Sequence, residues 1–143
     1  MNISIVYWSG TGNTKSMAEA VVKGAGAEGA EVKLVEVSAA DAKSLAQENA
    51  FALGCPSMGA EQLEEAEMEP FVEELMPLVS GRHILLFGSY GWGDGEWMRD
   101  WEDQMKAAGA VLIGGEGIIA NEAPDDETLL KLEEAGRELA QLA

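Results

Sequence analysis

The segment Ser9-Gly10-Thr11-Gly12-Asn13-Thr14 places three hydroxyls, a carboxamide and two glycines immediately before a stretch of helical periodicity. Hydroxyl and backbone N–H donors at a helix start, backed by the positive end of the helix dipole, suit a phosphate group. A Walker-type nucleotide site is disfavoured, because the lysine of G-x-x-x-x-G-K-[ST] is missing. The dinucleotide fingerprint G-x-G-x-x-G fails too, since Lys15 stands at the third glycine position, and Glu36 near the end of the second strand leaves only a trace of that reading. The same six residues also read as a Ser/Thr/Asn helix cap with glycines for the turn.

A second candidate is Ser89-Tyr90-Gly91-Trp92-Gly93, where two aromatic side chains stand between glycines in a segment that would ordinarily be polar. Such rings offer a flat face to a planar ligand, unless they fold back onto the core. The third is Met58-Gly59-Ala60-Glu61, which joins a flexible apolar side chain to a glycine able to adopt positive φ. A tight turn there is placed to touch the same ligand. Trp97, Met98 and Trp101 have helical spacing and read as core. Cys55 has no Lys, Arg or His beside it in sequence to lower its pKa and reads as a small hydrophobe. His83 follows Arg82 at a strand entrance, away from these loops, and receives no role. No Ser/His/Asp constellation gathers with them, which argues against hydrolysis.

These loops need a scaffold that brings them to one edge. Apolar strand-like runs alternate with amphipathic segments along the whole chain, without internal repeats or linker-like tracts. The runs are residues 3–7, 32–37, 50–54 and 84–87, with 111–113 and 118–120 together forming the last strand. Helices are expected after Thr14, ending at Gly26 or Gly29; over a short span through Ala46, with Ser38 and Asp41 spaced as a capping box; from Pro70 to a kink or stop at Pro77; around Trp97 to Ala108; and after Asp125 or Asp126 to the end. Alternation of this kind gives one α/β domain, residues 1–143, with a doubly wound parallel sheet and helices on both faces. In such sheets ligands bind at the carboxyl ends of the strands, where all three candidate loops fall.

Composition narrows the function classes. The chain of 143 residues carries 9 Lys plus Arg against 26 Asp plus Glu, a formal net charge of −17. A field of that sign repels phosphate backbones and anionic headgroups, so nucleic acids and membrane surfaces are not expected as partners. No apolar run approaches the roughly 20 residues needed to span a bilayer, and no secretory signal is read at the start, so a cytoplasmic location is expected. One cysteine and one histidine exclude Cys/His metal clusters. Between Lys43 and Arg82 there is no basic residue, while Glu48, Glu61, Glu64, Glu65, Glu67, Glu69, Glu73 and Glu74 fall in that interval. Such a run is ordinarily a solvated face; beside a ligand edge it also suits steering of a basic partner.

Four segments, Val6-Tyr7-Trp8-Ser9-Gly10-Thr11-Gly12-Asn13-Thr14, Gly54-Cys55-Pro56-Ser57-Met58-Gly59, Leu86-Phe87-Gly88-Ser89-Tyr90-Gly91-Trp92-Gly93 and Asn121-Glu122, together with their spacing, resemble the flavodoxins, and within them the short-chain clostridial type. The long-chain type splits its last strand with an insertion for which there is no room between Val111 and Asn121. The resemblance implies a flavodoxin-like, five-stranded sheet of order 2-1-3-4-5 that binds FMN. It implies that Ser9, Gly10, Thr11, Gly12, Asn13 and Thr14 hold the phosphate, and that the isoalloxazine ring lies between Met58 and Trp92. Ser89, Tyr90 and Gly91 would line the pyrimidine end, with Glu61 near ring N3, and Gly93 would also be among the FMN-binding residues. Pro56, Ser57 and Asn121 would lie near the ribityl chain, and Gly59 and Ala60 would form the turn whose carbonyl meets the ring. It further implies a monomeric, low-potential, one-electron carrier rather than an enzyme, working with basic or otherwise complementary redox proteins that dock at the acidic flavin edge. An FMN-dependent quinone reductase or nitroreductase is the alternative, but rings covered on both faces leave little room for nicotinamide. A phosphorelay receiver is disfavoured because Tyr7-Trp8 and Gly54-Cys55 stand where its acidic cluster belongs.

Overall fold

A computed structural model describes residues 2–143; Met1, the first residue of the expected domain, lies outside the described residues. The strands are β1 (Asn2–Tyr7), β2 (Glu31–Glu36), β3 (Ala50–Gly54), β4 (His83–Tyr90), β5 (Val111–Leu112) and β6 (Ile118–Asn121). The helices are α1 (Asn13–Ala27), α2 (Ala42–Leu45), α3 (Met68–Leu75), α4 (Glu96–Ala107) and α5 (Asp126–Leu142). All strand pairs are parallel, in the order β2-β1-β3-β4-β5, with β6 also paired to β4. This is the doubly wound order expected from the resemblance.

Period-two alternation distributes the strand residues between two apolar layers. Phe51, Leu53, Ile84 and Leu86 pack with Phe71, Trp97, Trp101 and Met105 under α3 and α4. Ala50, Ala52, Leu85 and Phe87 pack with Met17, Val21, Leu132 and Leu139 under α1 and α5. On that second face the helices meet backbone to backbone. A Cβ on Gly24 would stand 1.8 Å from the Glu133 carbonyl oxygen, and one on Gly136 would stand 2.3 Å from that of Val21.

Several boundaries differ from the sequence expectation. Asn13 and Thr14, expected in the loop before α1, form its first turn, and Gly29 (φ 86°) rather than Gly26 follows its end. Ser38 belongs to a 3-10 turn, and Asp41 itself is the N-cap of α2, its carboxylate accepting the Ser44 N–H at 3.0 Å. Strand β4 runs on to Tyr90, taking Ser89 and Tyr90 out of the expected loop, because β6 supplies a partner for Phe87 through Tyr90. The last strand is split: Val111 and Leu112 pair with His83 and Ile84, a 3-10 turn at Ile113–Gly115 intervenes, and β6 resumes the pairing. Gly114 (φ 73°) and Gly115 (φ 81°) explain the break, since extended backbone does not admit positive φ. Pro70 lies within the first turn of α3, and at Pro77 the helix has tightened into a 3-10 turn. Asp125 caps α5, accepting the Thr128 N–H at 2.8 Å. Among the described residues, no helix is long and apolar enough to cross a membrane.

Candidate functional site

The carboxyl ends of β1, β3, β4 and β6 open onto a cleft of about 510 Å³. At one end stand Gly10, Thr11 and Asn13, from the turn between β1 and α1. Gly12 is the N-cap of α1 at φ 97°, a conformation that favours glycine, and it brings no side chain to cap the helix. The Ser9 hydroxyl accepts the N–H groups of Gly12 at 3.1 Å and Lys15 at 3.3 Å, so it is folded into the turn. Thr14 is only 1% exposed, and its Oγ1 lies 3.0 Å from the Ser89 hydroxyl and accepts the Ser89 N–H at 3.3 Å. The six expected residues therefore divide. Gly10, Thr11 and Asn13 face the cleft, while Ser9 and Thr14 brace the turn and tie it to β4.

Along the rest of the cleft stand Pro56, Ser57, Met58, Ser89, Tyr90 and Gly91. Met58 is 37% exposed. Tyr90 is half-buried with its ring 5.6 Å from that of Trp97, so one of the two aromatic residues does lean onto the core. Trp92 does not: it stays 63% exposed beyond the cleft wall. The Ser57 N–H donates to the Ser89 carbonyl at 2.9 Å, stitching the β3 and β4 exits together.

The expected four-residue turn at Met58–Glu61 is a hairpin one residue longer, closed by Met58 N–H to Gln62 O at 2.8 Å and Gln62 N–H to Met58 O at 2.9 Å. Gly59 takes positive φ (53°) and Ala60 does not, which is the division that spares the alanine strain. Glu61 is left-handed as well (φ 53°), an uncommon state for its type, and its carboxylate is anchored elsewhere. It accepts the Glu96 N–H at 3.2 Å at the start of α4, where the N-cap Gly95 has no side chain to do so. A Cβ on Gly93 would lie 2.4 Å from that carboxylate, so Gly93 leaves it room. Asp94 and Arg99 fasten the following turn, with Nη2 2.9 Å from Oδ1, and the guanidinium holds the Asp94 carboxyl below the usual carboxylate range.

Trp8, Glu122 and Ala123 also line the cleft but were not singled out as site residues in the sequence. Trp8 and Glu122 stand within the segments that carry the resemblance, and all three follow a strand at the carboxyl edge. Glu122 is left-handed (φ 58°) and its N–H donates to Tyr90 O at 2.7 Å; Asn121, chosen instead, ends β6 beside Tyr90 and is not on the cleft wall. Burial pushes the Cys55 thiol up to about 12, so it is no nucleophile near neutrality. Among the described residues, no group of His, Cys, Asp and Glu is arranged to hold a metal ion.

The flavodoxin family profile matches residues 5–136. The chain is 46% identical over 140 residues to the flavodoxin of Clostridium beijerinckii, covering 98% of this chain and all of that protein. It is 44% identical over 124 residues to the flavodoxin of Megasphaera elsdenii, covering 87% of this chain and 89% of the other. The solution structure of two-electron reduced Megasphaera elsdenii flavodoxin superposes with a TM-score of 0.87 at 42% identity, over 95% of this chain and 98% of that one. With the sheet order, the glycine-capped α1 and the cleft between the β3 and β4 exits all in place, the chain belongs to the flavodoxin family.

Proposed function

We propose that the cleft holds FMN and that the chain is a low-potential one-electron carrier, not an enzyme. The observation that carries this is one continuous cleft joining an N-terminus of α1 without a side-chain cap to an apolar and aromatic wall. A phosphate fits the first end without a cation, because Thr11, Asn13 and the backbone around Gly10 supply donors and the helix dipole supplies the field. An isoalloxazine ring fits the second end, with Met58 and Tyr90 on the wall and Trp92 free to cover an outer face. FMN supplies the electron storage; the chain binds it, orients it and sets the charge around it. Glu122 on the cleft wall and Glu61 in the hairpin that carries Met58, with exposed Glu65, Glu67, Glu69 and Asp94 elsewhere in an acidic chain, disfavour added negative charge on the ring, which lowers the potential. The same carboxylates suit docking of a basic redox protein at the ring edge.

Reconstitution tests the reading. FMN added to the apoprotein is expected to bind at one-to-one stoichiometry, giving a yellow protein that accepts electrons singly and does not consume NAD(P)H. Steady NAD(P)H oxidation with a quinone or nitroaromatic acceptor would instead identify the oxidoreductase alternative.

A further inference from the structure

Between the ring-side hairpin and α3, the chain from Leu63 to Glu67 has no strand or helix to hold it. Glu64 holds it. The residue is 7% exposed, and its Oε1 accepts the Ala66 N–H at 2.8 Å while Oε2 accepts those of Glu67 at 2.8 Å and Met68 at 3.0 Å. The N-cap of α3, Glu67, offers no side-chain cap, so Glu64 serves the helix from outside it. The main chain of Glu64 is engaged as well: its N–H donates to the Cys55 Sγ at 3.4 Å and its carbonyl accepts the Glu69 N–H at 2.9 Å. Among the described residues, no Lys or Arg forms a salt bridge with it. Burial raises its pKa, but the amides of Met68, Ala66 and Glu67 outweigh that and leave it below the usual carboxylate value.

The geometry closes a loop. Cys55 begins the excursion that carries Pro56, Ser57 and Met58 along the cleft, and Glu64 ends it, with the two joined by the N–H to Sγ contact. The hairpin within that loop has only one pair of backbone hydrogen bonds of its own, too few to fix it in water. We infer that Glu64 is a positioning residue of the ring-side loop: its carboxylate anchors the hairpin's exit to α3 and so, alongside the Glu61 contact to the Glu96 amide, holds the Met58–Gln62 hairpin in place with Met58 on the cleft wall. The ligand arm of the test rests on the FMN reading; the exchange arm does not.

The experiment uses the full chain as Glu64→Gln, with Glu74→Gln, an exposed carboxylate on α3, as the charge control. Glutamine keeps one acceptor but turns an NH₂ group towards the amides, and a hydrogen bond to a charged acceptor is the stronger kind. In the apoprotein, the Met58 and Gln62 amides are expected to exchange about tenfold faster in Glu64→Gln, with β1 amides unchanged. FMN and riboflavin are expected to weaken by the same factor, because the phosphate turn is untouched. The proposal is overturned if Met58 and Gln62 exchange as before, if β1 amides accelerate equally, if Glu74→Gln has the same effect, or if the FMN-to-riboflavin affinity ratio changes. Should the parent chain bind neither ligand, the FMN reading fails and the exchange rates still decide the role of Glu64.

Discussion

Thr11 and Lys15 flank the start of α1 and offer opposite means of holding a phosphate. Thr11 lines the cleft and can donate its hydroxyl, whereas Lys15 is exposed and its N–H is already given to Ser9. Thr11→Val is therefore expected to weaken FMN binding by roughly 1.5–3 kcal/mol, the scale of a hydrogen bond to a charged acceptor, and Lys15→Ala by much less. Calorimetry that ranked Lys15→Ala as the more damaging change would refute the cation-free phosphate site. Ala60 supports a second expectation. Its φ is not positive, and placing it in the left-handed region would cost on the order of 1 kcal/mol more than for glycine. Ala60→Gly removes that barrier to an alternative turn in the oxidised protein, so the first reduction potential of bound FMN should fall by some tens of millivolts, given about 59 mV per 1.4 kcal/mol for one electron. An unchanged or raised potential in a redox titration would count against turn strain. Part of this was legible in the residues: the glycines and hydroxyls of 9–14 announced a tight turn at the start of α1, and Gly59 announced a positive φ. Glu64 was not, because it looks like a member of a solvated acidic run, and Glu61 was picked out for the ring rather than for the anchoring contact it makes. Their work, accepting the Glu96 amide and the amides of residues 66–68, depends on burial and on contacts that charge alone does not reveal.

At the level of elements, α1 and α5 illustrate what periodicity conveys and what it omits. Both apolar faces were readable, and the cap of α5 was narrowed to Asp125 or Asp126, of which Asp125 is the one used. That Gly24 and Gly136 let the two backbones touch was not, because closeness of approach belongs to the pair and not to either helix. The pair makes a paired prediction. Gly24→Ala should destabilise the protein by about 2 kcal/mol, since the new methyl meets a backbone carbonyl that cannot move aside, and this outweighs the helix-propensity gain of up to about 1 kcal/mol. Gly26→Ala, two residues along the same helix with nothing within 4 Å of the added Cβ, should stabilise it by about 0.5–1 kcal/mol. Chemical denaturation of the two variants checks both signs. The length of β4 was hidden for a similar reason: Ser89 and Tyr90 become strand only because Ala120 and Asn121, distant in sequence, pair with them. Only the continuous apolar centre of that strand carried a local signal.

Across the whole molecule the net charge of −17 dominates long-range behaviour. The described residues contain three salt bridges, Lys23–Glu133, Arg99–Asp94 and Lys131–Glu127, so most carboxylates lack a paired cation. Self-repulsion on this scale is screened over roughly 8 Å at physiological ionic strength. Two outcomes with opposite signs are expected as sodium chloride is raised. The melting temperature should rise as repulsion is relieved, and electron-transfer rates to a basic partner should fall as attraction is lost. A rate that ignores ionic strength would remove the acidic docking surface from the proposal.

The break in the last strand bears on a different hazard. A parallel sheet with two open margins exposes unpaired N–H and C=O groups that can recruit another chain, and apolar strands make such recruitment sticky. Here one margin is interrupted, the two residues of β5 being separated from the four of β6 where Gly114 and Gly115 turn the backbone aside. At the other margin, β2 places Glu31, Lys33 and Glu36 among its apolar residues. Neither border offers a long, flat, uncharged template. The diglycine kink thus acts as a safeguard against aggregation, protecting a sheet whose central strands would otherwise be well suited to growing by one more.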